Sequence, residues 1–296
     1  MVNENEVAKL AVHYTVDLED FTYDLCRSLD SNILPKLRTD SLFESYHNIL
    51  NLLSLFQENI SNITFFCTGV MADRYPDLIK LIVSDGHEIA CHGNFHDDIY
   101  GMTTKEVRDS LSEAKDKLSN ISGMEIKGFR APKFSINKND YARLQAISEV
   151  FEYDSSLHFQ SKQDYQSWRN NCTVDIKEFP VPYQSIISSK FMIKTGGSYL
   201  KLFPKSVVRT AIHKTIKNNI TPIIYFHPYD LYYGYDMLAS WNELKGASSK
   251  LYWYIRQTQW AGAFNWSQKN KLKSIFKEFK NLGRLDKRLL NKHNHL

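Results

Sequence analysis

Five short apolar runs in this chain end in polar residues of the types that do chemistry. Leu10 to Asp17 leads into Asp17-Leu18-Glu19-Asp20, and His87 to Cys91 into His92-Gly93-Asn94-Phe95-His96. Further on, Arg130-Ala131-Pro132, Asp154 and Phe226-His227-Pro228 close three more runs. Carboxylates at the end of an apolar strand are costly unless paired or bound to a metal. His92 and His96 are spaced i, i+4, so their imidazoles face one point if the segment turns helical. One carboxylate added to them makes a ligand set with positions open for water and substrate. Asp17, Glu19 and Asp20 supply more acid than one metal needs, as a ligand and a general base beside one water would require. Arg130 could clamp a carboxylate bidentately. His227 reads as a general acid if a carboxylate orients its other ring nitrogen, and Asp154 is a candidate for that. Each residue alone has a bland alternative: loop histidines, a solvated acidic loop, a surface salt bridge, a satisfied core histidine. Their recurrence at successive strand ends is what favours one convergent site.

The elements that must position them alternate. Strands are expected at Leu10–Asp17, Ile63–Cys67, His87–Cys91, from Gly128, near Phe151–Ser155, at Val174–Val181 and at Pro222–Phe226. Between them, Ser41–Phe56, Pro76–Val83, the stretch after the Thr103/Glu106 capping box, Asn139–Val150 and the stretch opened by Pro204 carry helical periodicity. Strand and helix in repetition predict an α/β fold with a parallel sheet and right-handed crossovers, and six or seven such units suggest a barrel. Barrel enzymes place their chemistry at the C-terminal strand ends, where these polar residues fall.

Composition narrows the class. A 43% apolar share with 13% aromatics can build a large core, and 8 Pro and 12 Gly exclude a collagen-like or low-complexity chain. No apolar run is long enough to span a membrane. The polar N-terminus lacks a signal core, from which a cytoplasmic location is expected. Cys26, Cys67, Cys91 and Cys172 are widely spaced, so buried free thiols are expected rather than a disulfide scaffold or a structural zinc site. No G-x-G-x-x-G or P-loop follows a strand. The formal charge of +4 is uneven: residues 267–296 hold nine Lys/Arg against two Asp/Glu, leaving a slight acidic excess in residues 1–266. Nucleic acid is therefore not expected as a partner. Residues 1–266 read as one barrel domain, and 267–296 as a basic amphipathic helix and tail. That helix, with Leu272, Ile275, Phe276 and Phe279 on one side, is expected to pack on the barrel; contact with an anionic membrane surface is the alternative.

Seven segments together form a recognisable set: TVDLEDF (15–21), TFFCTG (64–69), HEIACHGNFH (87–96), GFRAPKFSI (128–136), YDSSL (153–157), GGSYLKLFP (196–204) and YFHPYDL (225–231). The sequence resembles the polysaccharide deacetylases with a NodB homology domain, the fourth carbohydrate esterase family, and is most similar to their exosortase-associated subgroup from exopolysaccharide loci. The resemblance implies an irregular (β/α)7 barrel and a metal-dependent hydrolase that removes N-acetyl groups from amino sugars of a bacterial cell-surface polysaccharide or its precursor. By motif, Asp17 matches the catalytic base, His92 and His96 the histidines of a divalent metal, usually zinc, and Arg130 the arginine that positions the base. Asp154 matches the acid that orients the catalytic histidine, and His227 the general acid. The usual first motif has adjacent aspartates, so the metal carboxylate here is Glu19 or Asp20; Glu19 shares a strand face with Asp17 and is favoured. Phe134 stands where Gly or Tyr is usual, and with Pro132 and Tyr229 it is expected to meet the carbohydrate. The aromatic-rich stretch from Tyr229 to Trp266 is expected to offer one or two rings for sugar stacking. The rival readings are a deacylase of a lipid-linked or small-molecule amide and a catalytically silent sugar-binding relative.

Overall fold

A computed structural model describes residues 10–20, 39–54, 62–186, 192–232, 238–242, 244, 249–259 and 264–289. Phe21, Cys26, Phe56, Tyr233, Tyr235, Trp260 and the last seven residues, on which parts of the sequence reading fall, lie outside them.

Seven parallel strands make an irregular (β/α)7 barrel: β1 (Ala11–Leu18), β2 (Thr64–Cys67), β3 (Glu88–Cys91), β4 (Gly128–Phe129), β5 (Tyr153–Asp154), β6 (Lys177–Glu178) and β9 (Ile223–Phe226). They pair in chain order from β1 to β6, and β9 pairs with the other side of β1. Among the described residues no ladder joins β6 to β9. An antiparallel hairpin, β7 (Tyr183–Ser185) with β8 (Met192–Lys194), lies outside the main sheet. The strand expected over Val174–Val181 is reduced to its two-residue centre. Phe179 and Val181 still donate to the carbonyls of Asp154 and Leu157, but Pro180 and Pro182 between and after them have no N–H to give to a ladder.

The strands are buried on both faces, as parallel strands covered by helices must be. Val12, Tyr14, Val16 and Leu18 of β1 join the core between sheet and helices. Phe66, Ala90, Tyr153, Ile223 and Tyr225 form a second cluster inside the barrel. Side chains alternate along a strand, so Asp17, His92, Arg130 and His227 inherit the inward direction from Thr15, Ala90, Gly128 and Tyr225. Register sets their height: Val16 aligns with Phe226 and Cys91 with Phe129, so Asp17 lies level with His227 and His92 with Arg130.

Helices cover the outside. α1 (Thr39–Ser54) and α4 (Thr104–Ser122) match the apolar stripes in the sequence, and the Thr103/Glu106 capping box forms as expected. The short helix α2 (Gly69–Arg74) follows β2, and α3 (Pro76–Ser84) follows α2. α5 (Tyr141–Ser148) and α8 (Lys205–Lys217) also fall where expected. The helix α6 (Lys162–Asn171) has no apolar stripe to announce it, because only Tyr165 and Trp168 of it are buried; its one sequence signal is Ser161, which caps Asp164. Cys67 and Cys91 are buried free thiols, and Cys172 is partly exposed.

The basic C-terminal segment is built into the barrel. After α9 (Lys250–Gln257), helix α10 (Asn265–Glu278) buries Leu272, Ile275 and Phe276. These residues are thus covered by protein, as the packed-helix reading expects, and are not free to meet a membrane. Lys271 donates to the carbonyls of Leu200, Lys201 and Phe203, each at 2.8 Å, capping helix α7 (Gly197–Leu202). Beyond α10, β10 (Lys280–Asn281) pairs with the start of β1, and Leu285 plugs the lower end of the barrel. No helix among the described residues is long and apolar enough to cross a membrane. If α10 packs in this way, Leu272→Ala will cost roughly 2–5 kcal/mol of stability in denaturant unfolding, as for other fully buried leucines. A loss below about 1 kcal/mol would contradict the packing.

Candidate active site and metal centre

The upper rim of the barrel gathers most of the sequence-derived residues. Arg130, fully buried, anchors it. Its Nη1 donates to Asp17 Oδ1 at 2.6 Å and to Thr15 Oγ1 at 2.9 Å; Nη2 and Nε donate to the Ser155 hydroxyl and carbonyl. Its guanidinium lies 4.0 Å from the centre of the Phe66 ring. Asp17, itself buried, is thereby held in one orientation as an acceptor.

Glu19, His92 and His96 offer three donor atoms within 4.8 Å of one another. Glu19 Oε2 lies 2.6 Å from His96 Nε2 and 3.8 Å from His92 Nε2. The second carboxylate oxygen accepts from the Tyr229 hydroxyl at 2.7 Å. Burial works to raise the Glu19 pKa, but His96, His227 and His92 outweigh it and hold it well below the carboxylate range. His92 is pulled down to about 4, first by burial, and its Nδ1 bonds the Arg130 carbonyl at 2.8 Å. A neutral imidazole donating from Nδ1 keeps its Nε2 lone pair for a cation.

The two histidines do not meet on a helix. Gly93 follows His92 at φ +80°, the chain bends through residues 94–96, and His96 takes a left-handed φ of 59°. The turn is fastened to the start of α2, where Gly69 N–H donates to the Gly93 carbonyl and Val70 N–H to that of Asn94. A Cβ at Gly69 would run into the Asn94 side chain, so glycine here lets the turn approach closely. A left-handed histidine retained in such a turn is the kind of local strain found at functional sites.

His227 closes the rim from β9. Its Nδ1 lies 3.2 Å from Asp230 Oδ2, and its Nε2 lies 3.8 Å from Glu19. Burial would lower its pKa, but the bond to Asp230, with the Glu19 and Asp17 charges, raises it to about 9. Asp230 also receives Lys201 at 3.4 Å and is held below its ordinary value despite burial. The ring of Tyr229 stacks on His227 with centroids 4.8 Å apart.

Three expectations change. Asp20 is not part of the ligand cluster: the chain leaves the strand after Leu18, and Asp20 meets Tyr75 Oη at 3.0 Å and Arg74 at 3.2 Å. Asp154 does not orient His227. Tyr153 points into the barrel, so its neighbour points outward, to Ser156 and Glu178. Burial pushes the Asp154 and Glu178 carboxyls up, and the charge of Asp154 adds to the rise of Glu178. Asp230 takes the orienting place instead, and its sequence signal is the His-Pro-x-Asp spacing, three residues on as in a capping box. Tyr229, expected at the substrate, is nearly buried and directs its hydroxyl at Glu19. Pro132 packs against Gly93, and Phe134 stands beside Tyr225 and His158 in a turn where Lys133 and Phe134 both have positive φ.

If Asp230 sets the charge state of His227, NMR titration of the metal-free protein will place the His227 pKa well above 6.5. Asp230→Asn will lower it, so that His227 loses its proton at a lower pH than in the wild type. An unchanged titration would contradict the assignment.

Residues 44–148, which include His92, His96 and Arg130, match the family model Polysaccharide deacetylase, and residues 154–266, which include His227, match a domain of unknown function, DUF3473. A peptidoglycan deacetylase of Helicobacter pylori is 30% identical over 118 residues, 39% of this chain and 39% of that protein. A peptidoglycan-N-acetylglucosamine deacetylase of Bacillus cereus is 29% identical over 85 residues, 29% of this chain and 30% of that protein. The chain therefore spans well under half the length of these relatives. A solved structure of a Mycobacterium smegmatis protein, assigned as a polysaccharide deacetylase, superposes with a TM-score of 0.51 at 19% identity, covering 93% of this chain and 95% of that one. The chain is thus similar to the polysaccharide deacetylases over residues 44–148, carries a DUF3473 match over residues 154–266, and shares the barrel fold of such a protein.

Proposed function

We propose that this protein is a metal-dependent hydrolase that removes N-acetyl groups from amino sugars of a cell-surface glycan or its precursor. The observation that carries the reading is the convergence at one rim of the Glu19–His92–His96 cluster, the Arg130-held Asp17 and the Asp230-held His227. The cluster suits a divalent cation. Its donors are two imidazoles and one carboxylate, His92 is locked in the tautomer that frees Nε2, and Tyr229 fixes the carboxylate from behind. Zinc fits this mixed nitrogen and oxygen set. When bound there, such a cation supplies Lewis acidity to the acetyl carbonyl and lowers the pKa of water.

The remaining chemistry belongs to side chains. Asp17, buried and fixed by Arg130, accepts the proton of the attacking water at Oδ2, the oxygen that Arg130 leaves free. His227, charged at neutral pH, donates from Nε2 to the departing amine nitrogen, while Asp230 holds Nδ1 and stabilises the imidazolium. The products are acetate and a free amino sugar. The peptidoglycan deacetylases among the relatives support an N-acetylated glycan as the substrate class.

Acetate release from N-acetylated oligosaccharides, with and without chelator, tests the reading. Asp17→Asn and His227→Ala will each lower kcat/KM by roughly 10²–10⁴-fold, the usual contribution of one acid or base. Chelation will abolish the activity and zinc will restore it. Full activity in Asp17→Asn would overturn the base assignment.

A further inference from the structure

Beside the rim, a groove of about 410 Å³ opens between the β7–β8 hairpin and the turn after Pro132, its walls including Asn137, His158, Tyr183, Met192 and Tyr199. Lys194, at the end of β8, projects along it with its amine 4.5 Å from the centre of the Phe134 ring. The other face of the connection is the reaction centre: the Arg130 guanidinium, bonded to Asp17, lies 5.7 Å from the same ring. One aromatic side chain thus separates Lys194 from the group that holds the base.

The charge balance of the groove is one-sided. No Asp or Glu lines it among the described residues. Lys138, its other lysine, is committed to Asp164 at 3.2 Å. His158 is pulled down to about 3, chiefly by burial, and its Nδ1 bonds the Val181 carbonyl, so it is neutral. Lys194 meets no carboxylate and no hydrogen-bond acceptor among the described residues. Burial lowers its pKa to about 8, which leaves it charged at neutral pH. A half-buried ammonium with only a ring face for company has lost hydration without gaining an anion. The phenol rings of Tyr183 and Tyr199 are suited to a sugar face.

We propose that this groove binds a glycan unit carrying a negative charge, adjacent to the N-acetylated unit, with Lys194 as its ion-pair partner. The inference rests on the deacetylase reading for the neighbouring unit, but the recognition itself can be measured without catalysis. Calorimetry on the zinc-supplied full chain would compare three short oligosaccharides of N-acetylglucosamine: a neutral one, one with a glucuronic acid neighbour and one with a phosphorylated neighbour. The wild type will bind at least one anionic ligand roughly tenfold more tightly than the neutral one, as a charge-assisted contact allows, and the preference will shrink with salt. The tighter of the two anions identifies carboxylate or phosphate as the native group. Lys194→Arg will keep the preference and Lys194→Met will lose it, with Lys194→Gln in its place if the Met variant does not fold. Equal binding of all three ligands by the wild type, no binding of any, or a preference that survives Lys194→Met and Lys194→Gln would overturn the proposal. Acetate assays on the same samples separate the two readings. Charge-selective binding without acetate release sinks the deacetylase and leaves the groove, and acetate release without selectivity does the reverse.

Discussion

A fully buried guanidinium must be paired, and meeting that requirement organises the mouth of this barrel. Arg130 reaches Thr15 and Asp17 on β1, Ser155 just past β5 and the Phe66 ring on β2, while its own carbonyl receives His92 from the end of β3. Four strand ends are thereby tied to one residue, three of them through its side chain. Truncating a partner of such a pair leaves the other charge buried and unpaired, typically at about 3–5 kcal/mol. The geometry of the base and the tautomer of one ligand histidine are thus coupled through the same residue.

A second constraint is the accumulation of charge around Glu19. One largely buried carboxylate faces three imidazoles and a phenol. Such a cluster is expensive unless each member has its partner. Tyr229 and Asp230, both from the short turn after β9, supply the missing ones: the first fixes Glu19, the second keeps His227 charged. Lys201 in α7 balances Asp230, and Lys271 in α10 caps α7. The positive charge of the C-terminal segment is therefore not only a matter of partners; through one of its lysines the segment supports the site from behind.

Period-two alternation makes much of the site legible in the sequence. Asp17, His92, Arg130 and His227 lie on strand ends whose inward parity follows from their neighbours, and Glu19 keeps step with Asp17. The rule fails where regular strand stops. Asp20 lies past the end of β1 and swings to Arg74, and Asp154 has the wrong parity in a two-residue strand. The His92–His96 spacing suggests a helical turn, whereas Gly93, Gly69 and a left-handed His96 build a tight loop instead, a tertiary fit that local periodicity does not encode. The partnership of Asp230 with His227 is local in sequence but depends on a 3-10 turn, Pro228–Leu231, with no apolar rhythm to announce it.

The central claim is that Glu19, not Asp20, completes a cation site with His92 and His96. Elemental analysis of zinc-reconstituted and desalted protein tests it most directly. The account predicts about one zinc per chain in the wild type and in Asp20→Asn, and almost none in Glu19→Gln. Zinc retained in Glu19→Gln and lost in Asp20→Asn, or absent from the wild type, would contradict it.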